Sequence, residues 1–339
     1  MIKKIALACA VSFAAAAHAA PVTFNFIYQD AAGVGFNDAT LGAQRKAALQ
    51  LAGQTWGDML VASYAGETIN IAVSFNTAST SSSPVAGAST VGSVYANAGL
   101  DNKGNINTVY TAPLAEHLAG RNLNGSSADY TLTFSPNVPT YLGLDGQPGA
   151  GQFDFETYAQ RGIAQVLGYA GNSRIYRGAT THADGAVKGG FYRAYDPATN
   201  SYPRYAGIYD TFVVDGNGTS LLAMTDAQRA TALTSGSLYW TGANAVAANG
   251  GALVKLSVLA PNADGSIASN TLTTLDGSLN SLMSFPAYAG VSRPIDGLTV
   301  GMLKDMGWNI AAVPEPSTYA MLFAGLGIIG LTARRRLQS

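Results

Sequence analysis

Residues that could act as metal ligands, nucleophiles or catalytic bases are scarce in this chain. Its 339 residues include one cysteine and three histidines, and only 12% of them are charged. His117 follows Pro113 in a short helical pattern, where we expect it to be solvated or partly packed rather than a ligand. His182 and Asp184 lie in a polar stretch that favours a surface loop over a metal site. Because no Gly-x-Ser-x-Gly motif indicates serine hydrolysis either, the isolated residue types identify no catalytic centre.

One further motif contains the oxygen-bearing residues that a cation would need. Residues 215–218 read Asp-Gly-Asn-Gly, which is reminiscent of the start of a calcium loop. The remaining ligands of such a loop, at their fixed spacing, are missing. Glycine and asparagine at these positions are typical of a tight turn, and a turn is what we predict.

The N-terminal segment has the features of a secretory signal peptide. Two lysines precede an apolar run, and Ala17-His18-Ala19 fits the small-residue cleavage site. We assign residues 1–20 to the signal, with cleavage near Ala19 or Ala20 and export through the secretion translocon. Cys9 would be removed with it, so the mature protein would have neither a disulfide nor a thiol nucleophile.

The C-terminal segment, residues 313–339, contains the motif Pro314-Glu315-Pro316, followed by an apolar stretch at residues 319–333 and by the basic cluster Arg334-Arg335-Arg336. This order resembles the PEP-CTERM sorting tail of Gram-negative bacteria that make exopolysaccharide. Such a stretch forms about 22 Å of helix, which is short for a stable membrane span but sufficient for a transient anchor. The arginines would mark its cytoplasmic end. An ordinary membrane anchor is the alternative, whereas the resemblance implies that an exosortase removes the tail and leaves the protein at the cell surface or outside the cell.

The remaining residues, 21–312, are predicted to form one α/β or α+β domain. Strand patterns occur at residues 22–28, 69–75 and 130–134. Helical patterns occur at residues 41–60 and 113–120, and the second has proline at its start and glycine at its end. The first helix has one apolar face, formed by Leu49, Ala52, Trp56, Met59 and Leu60. This order predicts a mixed sheet with helices, followed by a loop-rich second half that ends at residues 302–308.

Two further segments complete this reading of the domain. Residues 77–90 are small, polar and interrupted by proline, so we predict a surface loop there. Residues 159–171, AQRGIAQVLGYAG, are predicted to form a helix that ends at a glycine.

That helix and the loop before it resemble the segment leading into the catalytic helix of metzincin-type zinc metallopeptidases. Bacterial secreted members with leishmanolysin-like features are the most similar. Residues 209–222, 238–251, 279–288 and the closing GLTVGMLKDMGW also look like parts of that family. The resemblance implies a zincin-like fold with an active-site-type helix, and it makes Met283 the residue of the methionine turn beneath the metal site.

The residues that perform the chemistry of that family are missing. In the family motif His-Glu-x-x-His, two histidines bind zinc and the glutamate activates the zinc-bound water. Aligned on residues 166–169, these positions fall on Arg161, Gly162 and Gln165. The third ligand position falls on Gly171 or, in the leishmanolysin-like arrangement, on Thr274. Arginine is a cation without an acceptor and cannot bind zinc, and neither glycine nor threonine replaces a glutamate or histidine.

We therefore expect an exported, exosortase-processed surface or extracellular-matrix protein on a metallopeptidase-like scaffold, with a binding or structural role and no cofactor. In a binding role the ligand would be exopolysaccharide or peptide, and in a structural role the protein would be a passive component of the matrix. Two alternatives are an active secreted zinc-dependent peptidase with unusual ligands and an unrelated adhesin-like surface domain. A formal net charge of -1 gives no electrostatic reason to expect nucleic acid as a partner.

Overall fold

The computed structural model describes residues 20–77, 85–90, 95–96, 108–176, 188–191, 204–257, 271–286 and 288–311. Within these ranges the strands are β1 (Thr23–Tyr28), β2 (Thr68–Phe75), β3 (Val85–Thr90), β4 (Tyr95–Ala96), β5 (Thr108–Tyr110), β6 (Tyr130–Phe134), β7 (Thr140–Tyr141), β8 (Phe153–Asp154), β9 (Ser173–Tyr176), β10 (Lys188–Phe191), β11 (Ala206–Gly207), β12 (Val213–Asp215), β13 (Leu238–Trp240), β14 (Val254–Lys255), β15 (Leu275–Asp276) and β16 (Ser284–Phe285). The helices are α1 (Gly42–Met59), α2 (Ala112–Ala119), α3 (Phe155–Val166), α4 (Asp226–Thr234), α5 (Ala243–Ala248) and α6 (Gly297–Met306).

The largest sheet is mixed, as predicted, and has the strand order β1-β2-β6-β3. Strands β1, β2 and β6 are parallel, whereas β3 pairs antiparallel to β6 at one edge. The three parallel strands confirm the predicted strand segments to within one residue. The predicted surface loop is wrong at Val85–Thr90, because these small residues form β3 by pairing with β6; residues 78–84 of that loop lie outside the described residues.

Helices α1 and α3 pack together on one face of this sheet. The apolar face of α1 is buried as expected, and Trp56 is fully enclosed. Its indole N–H donates to the carbonyl of Gln160 in α3 at 3.0 Å, which fixes the two helices side by side. Gly53 lets α1 approach the sheet closely, since a Cβ there would lie 2.8 Å from the ring of Phe26.

Helix α3 is confirmed as a helix, but its bounds differ from the predicted residues 159–171. It begins four residues earlier, because Asp154 caps its N-terminus by accepting the N–H of Thr157. It ends at Val166, and Gly168 then adopts a left-handed conformation with φ of 106°. Glycine takes this conformation without a steric cost, which explains the glycine that follows the helix.

The second half of the chain is built from short elements. Strands β12, β13 and β14 form a small antiparallel sheet, and α5 packs on α6. Asp305 of α6 accepts the backbone N–H groups of Asn244 and Ala245 and the indole N–H of Trp240, so it caps α5 from outside. Residues 215–218 form the predicted tight turn, in which the N–H of Gly218 donates to the carbonyl of Asp215 at 3.0 Å.

Both ends of the described body meet beside the end of α1. Residues 20–22 lie on one side of residues 60–62, linked by the N–H of Ala62 donating to the carbonyl of Ala20 at 2.8 Å. On the other side, the N–H of Val61 donates to the carbonyl of Asn309 at 2.8 Å, and Leu60 is bridged to Ile310. No helix among the described residues is long and apolar enough to cross a membrane.

Candidate functional site

Arg161 of α3 points at the residues around Met283. Its side chain is 8% exposed, and its Nη1 donates to the carbonyl of Leu282 and, at 3.0 Å, to the carbonyl of Ser284. These two carbonyls flank the fully buried Met283. The guanidinium therefore occupies the space between the helix and the methionine-containing turn.

The turn is held in position by hydrogen bonds of its own. The N–H of Leu275 in β15 donates to the carbonyl of Met283 at 2.9 Å. Asp296, which caps the N-terminus of α6, accepts the hydroxyl of Ser281 and the N–H of Leu282, each at 2.7 Å. The carbonyls that Arg161 contacts are thus fixed by β15 and by α6.

Gly162 does not face the same space as Arg161. A Cβ at this position would lie 2.8 Å from both methyl carbons of Leu132 in β6, so residue 162 faces the sheet. The absence of a side chain is explained by this close approach of α3 to β6. A glutamate at residue 162 could not serve as a base beside Arg161 in this arrangement, because its side chain would start inside the helix–sheet contact.

The other positions suggested by the resemblance lie on α3, before β15 and beside Leu272. Gln165 is partly buried and lies one helical turn after Arg161, on the same face. Thr274 directly precedes β15, and its carbonyl accepts the N–H of Ser257 at 3.0 Å. A Cβ at Gly171 would lie 2.8 Å from the Cβ of Leu272, so that glycine also serves close packing. The structure brings residue 161 to the Met283 turn, but the residue types at this place do not suit a zinc ion.

Arg293 is a member of this cluster that the sequence did not indicate. It is 7% exposed, and its Nη1 donates to the carbonyl of Ser284 at 3.3 Å, the same oxygen that Arg161 contacts. Its Nε is enclosed without a hydrogen-bond partner. Because Arg293 contacts a backbone oxygen, which every residue has, no combination of residue types in the sequence could have indicated this contact.

Neither arginine has a carboxylate partner among the described residues. The ring of Tyr158 lies 5.8 Å from the Cζ of Arg161 and provides an aromatic neighbour. Burial lowers the pKa of the Arg161 guanidinium, Tyr158 acts in the opposite direction, and the like charge of Arg293 lowers it further. Arginine nevertheless remains protonated in proteins, so the cluster carries two buried positive charges.

His117 is fully buried, which corrects the expectation that it would be solvated or partly packed. It is 3% exposed, and its Nδ1 lies 2.8 Å from Oε1 of Glu67. Its Nε2 accepts the backbone N–H of Asn309 at 3.3 Å, so the proton lies on Nδ1 and is donated to Glu67. This histidine links α2 to the end of the body. The described residues contain no group of three His, Cys, Asp or Glu side chains that could hold a metal ion, and His182 and Asp184 lie outside them.

A buried carboxyl, that of Glu116, precedes this histidine in α2. Glu116 is 2% exposed, and its Oε1 accepts the N–H of Leu123 at 3.0 Å. Burial raises its pKa from 4.5 to about 7, the Leu123 N–H opposes this, and the charges of Asp129 and Glu67 add to the increase. Burial of this carboxyl thus links the stability of the fold to pH.

Comparison with known proteins gives one match, at the C-terminus. Residues 312–336 match the family model of the PEP-CTERM protein-sorting motif. This range contains the motif residues Pro314, Glu315 and Pro316 and the arginines 334–336, all of which lie outside the described residues, as does the apolar stretch at 319–333. No curated protein and no solved structure matches this chain. The match supports an exported protein processed by an exosortase, and the metallopeptidase resemblance of the body stays a prediction.

Proposed function

We propose that this protein is an exosortase-processed surface or extracellular-matrix protein whose body is a non-catalytic binding or structural domain on a metallopeptidase-like scaffold. The sorting motif at residues 312–336 supports the exported, processed part of this proposal. The body would be delivered to the cell surface or beyond it, where the buried cluster around Arg161 becomes the candidate binding site.

The position of Arg161 is the observation that supports a non-catalytic role. Its guanidinium donates to the carbonyls of Leu282 and Ser284, and it places a positive charge where a zinc ion would have to be coordinated. Gly162, which would have to be the general base, faces Leu132 of the sheet. A water molecule therefore has neither a Lewis acid nor a base to activate it at this place.

Metal content and peptidase activity of the exported protein test this role. We expect much less than about one zinc ion per chain, no hydrolysis of casein, and no effect of a chelator. Zinc bound at about one ion per chain, together with hydrolysis that a chelator abolishes, would overturn the proposal.

A designed variant tests the metallopeptidase-like scaffold separately. Arg161→His, Gln165→His and Thr274→His together supply the three ligands at the positions that the resemblance assigns. If the scaffold is of this type, the folded triple variant should bind about one zinc ion per chain, measured by elemental analysis after gel filtration. A folded triple variant that binds no zinc would show that the third position or the scaffold itself is wrongly assigned. Gly162 is left unchanged because a larger residue would collide with Leu132.

A further inference from the structure

Two buried guanidinium groups converge on one backbone oxygen. Arg161 and Arg293 are each more than nine-tenths buried, and the Nη1 atoms of both donate to the carbonyl of Ser284, at 3.0 Å and 3.3 Å. The two arginines come from α3 and from the segment before α6, which are 132 residues apart in the chain. The turn at Ser284 therefore gathers two positive charges from different parts of the fold.

Most of the donors of this pair make no hydrogen bond to another described residue. Each guanidinium has five N–H groups, yet Arg161 makes two hydrogen bonds and Arg293 makes one through its side chain. The Nε of Arg293 is enclosed and has no acceptor. A buried cation without a counter-ion is costly, and two of them in proximity repel each other. An anion that accepts hydrogen bonds from both side chains would relieve both costs.

The geometry points to a binding site for one carboxylate group at the Arg161–Arg293 pair. The planar guanidinium fork matches the two oxygens of a carboxylate, and such charge-assisted bonds are the strongest ordinary hydrogen bonds. This inference rests on the proposed binding role of the body and names the chemistry of its ligand.

The chain next to the pair offers a surface on which the rest of such a ligand would lie. The segment between Ser284 and Arg293 carries Phe285, which is 40% exposed, and Tyr288, which is 56% exposed. Aromatic side chains with one apolar face and a polar edge suit contact with the body of a small organic acid. The carboxylate is thus the specific group of the ligand, and Phe285 and Tyr288 are exposed aromatic side chains in the segment that joins Ser284 to Arg293.

The test measures carboxylate binding by the exported protein with calorimetry and with thermal unfolding. Acetate presents an isolated carboxylate, D-galacturonate presents the same group on a sugar, and uncharged D-galactose is the control ligand at equal ionic strength. We expect saturable binding of acetate and galacturonate with Kd of about 1 mM or below, and none of galactose. Equal affinities would assign recognition to the carboxylate alone, and tighter binding of galacturonate would show that the sugar ring is contacted as well; both results support the site.

Variants locate the site. Arg293→Gln should weaken carboxylate binding about 10- to 100-fold, because it removes a charged donor while its backbone bonds to Thr157 remain. Arg204→Gln removes the same charge at an exposed position and should leave the affinity unchanged. Arg161→Gln is measured only alongside a check of folding, since Arg161 also bonds the Met283 turn.

Three results would overturn the inference. They are no saturable carboxylate binding by the unaltered protein up to about 50 mM, unchanged binding by folded Arg293→Gln, and binding of phosphate or sulfate without binding of carboxylates. These failures differ from failure of the proposed function. Zinc-dependent hydrolysis would refute the non-catalytic role whatever the carboxylate result, whereas missing carboxylate binding in a metal-free, inactive protein refutes this site alone.

Discussion

Replacing Glu116 by glutamine is expected to stabilise the protein at neutral pH and to remove part of its pH dependence. Burial of this carboxyl raises its pKa from 4.5 to about 7. Glutamine has nearly the same shape and retains a carbonyl oxygen that can accept the N–H of Leu123, now at 3.0 Å from Oε1 of Glu116. The substitution therefore removes the titration while keeping the packing and the Leu123 hydrogen bond, and it weakens the second bond that the carboxyl accepts, from the N–H of Asn124.

The expected magnitude follows from proton linkage. Between pH 4.5 and about 7 the folded protein retains a proton on Glu116 that the unfolded chain has released. The free energy of unfolding consequently falls by up to about 1.4 kcal/mol per pH unit as the pH rises through this window. The full window corresponds to at most about 3 kcal/mol, which hydration at the neighbouring exposed loop should reduce to about 1–2 kcal/mol.

Urea unfolding of the protein and of Glu116→Gln, measured from pH 4.5 to pH 8, gives the difference directly. The variant should be more stable by about 1–2 kcal/mol at pH 8, and this advantage should vanish towards pH 4.5. Asp58→Asn removes an exposed carboxylate and is the control for the loss of a negative charge. Parallel curves for the protein and Glu116→Gln, or a variant that is less stable at pH 8, would refute the reasoning.

Two further substitutions test packing and capping. Gly162→Ala places a Cβ 2.8 Å from Leu132 and should cost about 1–2 kcal/mol despite the better helix propensity of alanine. Gly297→Ala, where a Cβ would make ordinary van der Waals contact, should be neutral or slightly stabilising; equal effects at both sites in chemical denaturation would contradict the helix–sheet contact. Asp305→Ala removes the acceptor for the first turn of α5 and for the indole of Trp240 and should cost about 2–3 kcal/mol. A loss below about 0.5 kcal/mol would show that this cap is dispensable.

The sequence predicts those strands and helices whose characteristic pattern lies entirely within their own residues. The segments of β1, β2 and β6 alternate apolar and polar residues or are rich in residues that favour strands. Helix α1 has one apolar face, and α2 has proline near its start and glycine at its end. The strand β3 could not be predicted, because its residues are small and its pairing depends on β6, about forty residues later. The first turn of α3 was likewise missed, since it depends on the cap at Asp154.

The candidate site was only partly accessible from the sequence. The proximity of Arg161 to the Met283 turn was expected from a family resemblance, because the two lie more than 120 residues apart and no local pattern connects them. Arg293 gave no signal, since it joins the cluster through a backbone carbonyl that any residue could supply. The burial of His117 depends on Asn309 and Glu67, which are distant in sequence.

The pairing of the two ends of the body has a consequence for the order of events during export. Residues 309–311 complete a bridged ribbon with residues 60–62 and 20–22, which leave the ribosome about 250 and about 290 residues earlier. The ribbon therefore closes only when Ala311 has emerged on the outer side. The sorting motif matched at residues 312–336 begins directly after this segment, so cleavage anywhere within the motif would leave the ribbon complete.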